Sequence, residues 1–153
     1  MADLDLMGID IGLDYRRGGG FYEDAELRSS QDNAVSNTRD IRTVAEVEAI
    51  TQALVNRLKT RKGELAPLGH PDYGSRHHEL IGEPNVERTR NLIKLYILQA
   101  LRREPRIERV LSADVTPDQQ PPRSMVRVVL SLKLIGIQAP LNLVVPFSLE
   151  AAS

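Results

Sequence analysis

All three histidines of the chain lie in one stretch, 68-LGHPDYGSRHHELIGEPN-85, together with three carboxylates, two prolines and a glycine turn. Imidazole and carboxylate groups are common metal ligands and general acids or bases. His70, His77 and His78 lack the i, i+4 helical spacing of an HExxH zinc motif, and the adjacent pair points in different directions. The spacing therefore does not favour a metal ion shared by the three rings.

Two catalytic arrangements can also be considered in this stretch. Glu79 and Glu83 could form the carboxylate pair that glycoside hydrolysis needs on the two sides of a cleft. Carboxylates at this spacing are also routine on a solvated surface, and Tyr73 is the one nearby aromatic residue suited to sugar stacking. A nucleophilic pair of Ser75 and His77 lacks the elbow motif that exposes a catalytic serine. The stretch contains no specific catalytic signature.

The same stretch has the composition of a well-defined turn. Pro71 fixes its own φ angle, Asp72 can form a local side-chain turn and Gly74 can adopt a positive φ. Ser75 is then suited to cap a short helix over residues 76–82. We therefore predict a scaffold and an interface here rather than an active site.

Composition restricts the class of protein. The 153 residues allow one ordinary domain and an arm, and a net charge of −1 does not fit a nucleic-acid-binding surface. The absence of cysteine excludes disulfides and thiolate metal sites. No apolar run reaches the roughly 18 residues of a membrane span, and the acidic start MADLDLMGIDIGLD is unlike a secretory signal. We expect a soluble protein made in the cytoplasm, without cofactor, nucleic-acid partner or membrane span.

Two helices are predicted between residues 41 and 103. Thr43 and Glu46 have the spacing of a capping box. The apolar residues that follow recur at three- and four-residue spacing: Val44, Val47, Ile50, Leu54 and Leu58. A second helix is predicted to follow its cap, Asn85, and to end before Pro105. Its apolar side consists of Val86, Ile93, Ile97, Ala100 and Leu101.

Strands are predicted in the last third of the chain. Every even position of 125-MVRVVLSLKL-134 and every odd position of 141-LNLVVPFSLE-150 is apolar, which is typical of strands with one buried face. Residues 107–115 form a less regular third strand. Pro146 lies on the outward side of the last strand and cannot donate to a neighbour. We predict an α+β fold, with two main helices and a short one packed on a small three-stranded antiparallel sheet.

The N-terminal segment differs from the rest. Residues 1–40 hold nine Asp and Glu against four Lys and Arg, and include the glycine run 18-GGG-20. A disordered tail and an arm that orders against a partner are both consistent with this composition. The alternation of Leu4 and Leu6, then Ile9, Ile11 and Leu13, favours the arm. We predict an extended N-terminal arm over 1–40 and a domain over 41–153.

Three short motifs in a fixed order resemble a known family. They are Thr60-x-x-Gly63-Glu64-Leu65, Pro71-x-Tyr73-Gly74-Ser75 and Glu104-Pro105-Arg106. Together they resemble the phage baseplate wedge proteins labelled "lysozyme-like" and grouped with protein W, which also occur as sheath initiators in contractile injection systems. The resemblance extends over roughly residues 40–150. Each motif is weak alone, but their order and spacing are specific.

The resemblance implies a structural role in the baseplate of a phage-tail-like particle. Family members lie around the tube and receive extended arms of the first sheath ring by strand addition, so that the baseplate templates sheath growth. The implied partners are the sheath subunit, other wedge proteins and tube or spike hub proteins. The wedge proteins would contact Glu104, Pro105 and Arg106, and the hub proteins would contact the arm. Six copies of this chain are implied in each particle. We expect the sheath to dock on alternate residues of the last two strands: Val126, Val128, Leu130, Leu132, Leu141, Leu143, Val145 and Phe147.

Two other functions stay open at this point. A hydrolase of cell-wall peptidoglycan in a tail apparatus would use Glu79 or Glu83. A regulatory binding module is a third candidate, since a distant anti-adaptor branch is grouped with this fold. The "lysozyme" label of the family does not itself assign catalytic residues, and we expect neither catalytic nor metal-binding residues in this chain.

Overall fold

The structure, a computed structural model, describes most of the chain. It covers residues 9–11, 13–18, 21–27, 29–31, 39–41 and 43–151. The chain divides into two compact units, Met1–Gln52 and Ala53–Ser153. Of the alternating apolar residues predicted for the arm, Leu4 and Leu6 lie outside the described residues.

The described part of the first unit contains short strands. They are β1 (Ile9–Ile11), β2 (Leu13–Gly18), β3 (Phe21–Leu27), β4 (Ser29–Gln31), β5 (Arg39–Ile41) and β6 (Thr43–Ala45). The strands pair antiparallel, β1 with β6, β2 with β3 and β4 with β5. Because β1 pairs with β6, the two ends of this strand-rich segment lie side by side.

Helix α1 (Glu46–Lys59) begins directly after β6. The predicted capping box is therefore wrong, because Thr43 and Val44 lie in β6 and pair with β1. Both residues are β-branched and fit an extended strand, and their partner strand is distant in the sequence. Of the predicted apolar side, Ile50, Leu54 and Leu58 are buried, whereas Val47 is exposed.

Helix α2 (Glu87–Leu101) buries its predicted apolar residues Ile93, Ile97, Ala100 and Leu101. The predicted cap is wrong, because the helix begins after Val86, which is exposed, and no side chain caps it. The side-chain nitrogen Nδ2 of Asn85 instead donates to the backbone carbonyls of Arg123 (2.8 Å) and Met125 (3.2 Å). This contact holds the start of α2 close to the start of the second strand of the sheet.

A three-stranded antiparallel sheet follows the helices. Its strands are β7 (Ile107–Pro117), β8 (Met125–Leu134) and β9 (Leu141–Ser148), in the spatial order β7-β8-β9. The β8–β9 ladder is regular from Met125 opposite Ser148 to Leu132 opposite Leu141. The β7–β8 ladder has two irregularities, one between Ile107 and Arg109 and one between Val110 and Ser112.

The hydrophobic core of the second unit follows the period-two pattern of the sheet. On β8 the even-numbered residues from Val126 to Leu134 are buried, and on β9 the odd-numbered residues Leu143, Val145 and Phe147 are buried. Full burial of one such aliphatic side chain stabilises the fold by about 1.5–3 kcal/mol. The predicted α+β fold is confirmed. No helix in the described part of the chain has the length and apolar character of a membrane span.

Candidate functional site

The predicted turn is held against the end of α1. The Ser75 N–H donates to the Thr60 carbonyl at 2.9 Å, and the Lys62 N–H donates to the Ser75 carbonyl at 3.2 Å. Gly74 adopts a φ of 96°, and a Cβ atom there would lie 2.6 Å from the Thr60 carbonyl oxygen and 2.7 Å from that of Arg61. Glycine is therefore required by both the φ angle and the close approach of the two backbones.

Arg57 connects this turn to the predicted wedge motif. Its guanidinium carbon lies 4.6 Å from the centroid of the Tyr73 ring, and its Nη2 lies 3.6 Å from Oε2 of Glu104. These contacts combine a cation–π interaction with an ion pair. Sequence patterns do not predict this role directly. One signal exists, because Arg57 follows Leu54 by three residues and Ile50 by seven, on the otherwise apolar side of α1.

Glu104 is a buried carboxylate held by two arginines. Arg106 Nε donates to Glu104 Oε1 at 2.6 Å, and the Glu104 side chain is 3% exposed. Burial raises the pKa of Glu104, but the hydrogen bond and charge of Arg106 and the charge of Arg57 bring the pKa below its ordinary value. The carboxylate is therefore ionised and directed into the chain. Pro105 is exposed and Arg106 partly exposed, and contact of this motif with a wedge protein stays a prediction.

The histidines separate into one exposed ring and two packed ones. His70 is exposed, whereas His77 is buried and His78 is half-buried. Nε2 of His78 donates to the Leu58 carbonyl at 2.8 Å. The centroid of the Phe147 ring lies 4.5 Å from that of His77 and 5.7 Å from that of His78, both edge-on. The pair therefore joins the end of α1 to the last strand of the sheet.

Ser75 and His77 form a hydrogen bond but not an accessible nucleophilic pair. Ser75 Oγ and His77 Nδ1 lie 2.7 Å apart. Burial, followed by the charge of His78, lowers the pKa of His77 to about 3, so the imidazole is neutral at pH 7. The exposed fraction is 1% for Ser75 and 2% for His77, so both side chains are almost completely buried. The contact instead satisfies two buried polar groups.

The short helix differs from the one predicted. It is a 3₁₀ helix over Arg76–Leu80 rather than a helix over 76–82, and the Ser75 side chain makes no capping hydrogen bond to it. Ser75 does occupy the predicted cap position, but the predicted capping hydrogen bond is wrong, because the hydroxyl is bonded to His77. Of the remaining turn residues, Pro71 is exposed at the surface and Tyr73 is half-buried beside Arg57.

Glu79 and Glu83 are surface carboxylates. Arg76 donates from Nε and Nη2 to the two oxygens of Glu79, at 3.1 and 3.0 Å. This hydrogen bond lowers the pKa of Glu79, whereas a general acid in glycoside hydrolysis needs a raised pKa. Glu83 is also exposed. The geometry is that of a surface ion pair and does not favour an acid–base pair.

The residues predicted to dock the sheath are mainly core residues. Leu141 is half-buried, and the other seven are buried: Val126, Val128, Leu130, Leu132, Leu143, Val145 and Phe147. β8 is paired on both sides, so its backbone is not available to a further strand. β9 is paired on one side, and among the described residues no strand lies on its other side. Of the two strands predicted to dock the sheath, β9 alone has an unpaired edge among the described residues, and docking there stays a prediction.

Comparisons with known proteins give a family and a fold relative. A family model described as the contractile injection system sheath initiator matches residues 24–129. Among solved structures, a candidate tail lysozyme from Geobacter sulfurreducens is 26% identical, with a TM-score of 0.60. The match covers 69% of this chain and 93% of that chain. No curated protein matches the chain.

Replacing Gly74 by alanine should destabilise the second unit strongly. The Gly74→Ala variant combines an unfavourable φ with overlap against two carbonyl groups, and we expect a loss of about 3 kcal/mol or more in the free energy of unfolding. Gly69→Ala is the matched control, because Gly69 has a φ of 85° but no atom within 4 Å of the added Cβ. It should lose only about 1 kcal/mol. Urea unfolding followed by circular dichroism measures both, and equal losses would contradict the close-approach argument.

The buried imidazole should make stability fall at acid pH. Because the pKa of His77 is about 3 in the folded chain and 6.5 in the unfolded chain, only the unfolded chain gains this proton between those values. The contribution of His77 is complete above pH 6.5 and falls by about 1.4 kcal/mol per pH unit down to pH 3. His77→Gln should reduce this slope, measured by urea unfolding from pH 7 to pH 5. His70→Gln is the control and should retain it; equal slopes for all three proteins would overturn the assignment.

Proposed function

Because the chain belongs to the sheath initiator family of contractile injection systems, we propose that it joins the baseplate to the first ring of the sheath. The family predicted from the sequence is confirmed, and it supports a structural role in the baseplate. The finer proposal is that the chain links wedge proteins and templates sheath growth by strand addition. The observation that carries this proposal is the open edge of β9.

The open edge of β9 offers a defined set of backbone groups. In an antiparallel ladder, residue pairs alternate between pairs that exchange two hydrogen bonds and pairs that exchange none. Pro146 has no N–H, so its pair with Arg127 is of the second kind, and the backbone groups of Pro146 are directed to the open edge. Residues two apart share this direction. The edge therefore presents N–H and C=O groups at Asn142, Val144 and Ser148, but a carbonyl alone at Pro146.

The missing N–H at Pro146 favours one register of an incoming strand relative to β9. An incoming strand finds three donors and four acceptors, and an acceptor placed opposite Pro146 would be left without a hydrogen bond. Backbone hydrogen bonds supply the affinity of strand addition, so the best register is the one that avoids this position. A single proline on an edge strand also weakens indiscriminate pairing with other chains.

The opposite edge of the sheet is less suited to strand addition. β7 has two register irregularities against β8, and bulges twist an edge away from a regular ladder. Its exposed residues include the charged side chains of Glu108, Arg109 and Asp114. β9, by contrast, pairs regularly along its whole length. We therefore propose that an extended segment of the sheath subunit adds to β9 and not to β7.

Other contacts of the baseplate are proposed on the basis of family membership. Pro105 and Arg106 are at the surface, and Glu104 orients the Arg106 guanidinium from within the chain. We propose that these two residues face neighbouring wedge proteins. The segment 1–40 is proposed as the arm that binds tube or spike hub proteins, and 41–153 as the initiator domain. The particle is proposed to be phage-tail-like, with six copies around the tube.

A peptidoglycan hydrolase is the second candidate function. The specific observation in its favour is the similarity to a structure described as a candidate tail lysozyme. The ion pair between Arg76 and Glu79, which lowers the pKa of Glu79, counts against it. Glu83 would then have to act without a partner carboxylate of raised pKa.

A proline at a second open-edge position should prevent sheath capture. In Val144→Pro the ring replaces an N–H that is directed away from β8, so the sheet can form while an incoming strand meets a missing donor and a bulky ring. We expect capture of the cognate sheath subunit in a pull-down to weaken by about tenfold or more, which corresponds to 1.4 kcal/mol. Val144→Thr keeps both the β-branch and the N–H and should capture sheath like the unmodified chain.

Circular dichroism must show that both variants of Val144 are folded. Truncation after residue 139 removes β9 entirely and should also abolish capture. If folded Val144→Pro captures sheath as well as Val144→Thr does, β9 is not the docking edge. If the unmodified chain captures no sheath at all, the initiator proposal itself fails.

The hydrolase candidate has a separate test. Under the structural proposal, the purified chain should release no soluble fragments from peptidoglycan sacculi, as measured by chromatography of the supernatant. Release that disappears in the double variant Glu79→Gln/Glu83→Gln would instead support the enzyme. Sheath capture measured on the same double variant should be unchanged, because neither carboxylate lies on β9.

A further inference from the structure

A pocket of about 290 Å³ lies between the turn that follows α1 and the last turns of α2. Three small buried residues line it: Gly74, Ser75 and Ala100. Tyr96 provides an aromatic wall. Four cationic side chains line it: Lys62, Arg76, Arg102 and Arg103. One carboxylate, that of Asp72, lies among them.

Most cationic side chains of the pocket form ion pairs, but cations outnumber carboxylates in its lining. Nη1 of Arg103 lies 3.1 Å from Oδ2 of Asp72, and Nζ of Lys62 lies 3.8 Å from its Oδ1. Arg76 is paired with Glu79 and lies over the Tyr96 ring, with its guanidinium carbon 4.6 Å from the centroid. In the part of the chain that the structure describes, Arg102 forms no ion pair.

The lining therefore holds four cationic side chains and one carboxylate, Asp72. Glu79 pairs with Arg76 but does not itself line the pocket. The unbalanced charge is concentrated where the last residues of α2 meet the turn. This local excess contrasts with the net charge of −1 for the whole chain.

The size and chemistry of the pocket fit a carboxylate side chain. Guanidinium groups bind carboxylates through two parallel hydrogen bonds, and Arg102 and Arg103 follow each other directly at the end of α2. The volume accommodates a Glu or Asp side chain with adjoining backbone, but not a folded domain or a nucleic-acid duplex. No residue of β9 lines the pocket, so it is separate from the edge proposed for sheath.

We propose that this pocket is a docking site for an acidic segment of a neighbouring protein, which inserts a carboxylate between Arg76, Arg102 and Arg103. The proposal goes beyond sheath initiation, because it assigns a second partner surface with its own chemistry. Tyr96 and the small residues of the pocket provide the apolar contact, and the cations provide selectivity for acidic sequences. Binding at such an exposed site weakens with salt.

The test uses the full chain and two peptides, hexaglutamate and its neutral counterpart hexaglutamine. We expect hexaglutamate to bind in isothermal titration calorimetry at low ionic strength and hexaglutamine not to bind. The variant Arg102→Glu/Arg103→Glu should weaken hexaglutamate binding by about tenfold or more. Arg88→Glu/Arg123→Glu is the matched control, because it makes the same change in net charge at exposed arginines outside the pocket. It should bind within about twofold of the unmodified chain.

A milder variant keeps the test valid if the charge reversal affects folding. Arg102→Gln/Arg103→Gln should also reduce binding while the circular dichroism spectrum is unchanged. Equal weakening by the pocket and control variants would overturn the proposal, because net charge alone would then explain binding. Inorganic phosphate that competes as strongly, per mole, as hexaglutamate would overturn it in favour of a small-anion site. Normal sheath capture by the pocket variants would show that this site and the β9 edge act independently.

Discussion

The second unit depends on a buried ion group in which Arg57 and Arg106 converge on Glu104. These residues come from helix α1 and from the connection between α2 and β7, which are distant in the sequence. An unpaired buried carboxylate is strongly destabilising, so the group forms only when both segments are in place. The Nε of Arg57 is buried without a hydrogen-bond partner in the described structure, and its contact with Tyr73 offsets part of that penalty. The turn that carries Tyr73 is thereby tied to the same group.

The histidine-rich turn shows how scaffold residues can resemble an active site. Serine, histidine and carboxylate groups do chemistry because they exchange protons and hydrogen bonds readily, and the same capacity satisfies polar groups inside a small domain. Ser75 and His77 have the contact distance of a nucleophile and base, but both are buried. What separates the two roles is access to solvent and substrate. Burial therefore decides the function of this pair more than residue type does.

Two features of the second unit suit a protein that assembles with others. An edge strand with a regular ladder on one side provides backbone groups for a partner, and one proline restricts how they can be used. The basic pocket provides charge selectivity on a different set of residues. Both are built on elements fixed by the core, because β9 is anchored through Phe147 and the pocket is backed by the Gly74 turn. Rigid presentation lowers the entropy lost on binding.

The sequence alone determined the strands β8 and β9 with their buried faces, because the period-two alternation is a local property of the chain. It also determined the family and the buried residues of both helices, although the predicted Val44 lies in a strand and Val47 and Val86 are exposed. Tertiary structure alone decided that Thr43 lies in a strand, because it pairs with β1, which is distant in the sequence. It also decided that the Asn85 side chain bonds to the start of β8 instead of capping α2. It likewise decided that the apolar residues of β8 and β9 form this chain's own core, so that of these two strands β9 alone has an unpaired edge among the described residues. An alternating pattern specifies a face that must be covered, whereas what covers it depends on contacts between segments far apart in the sequence.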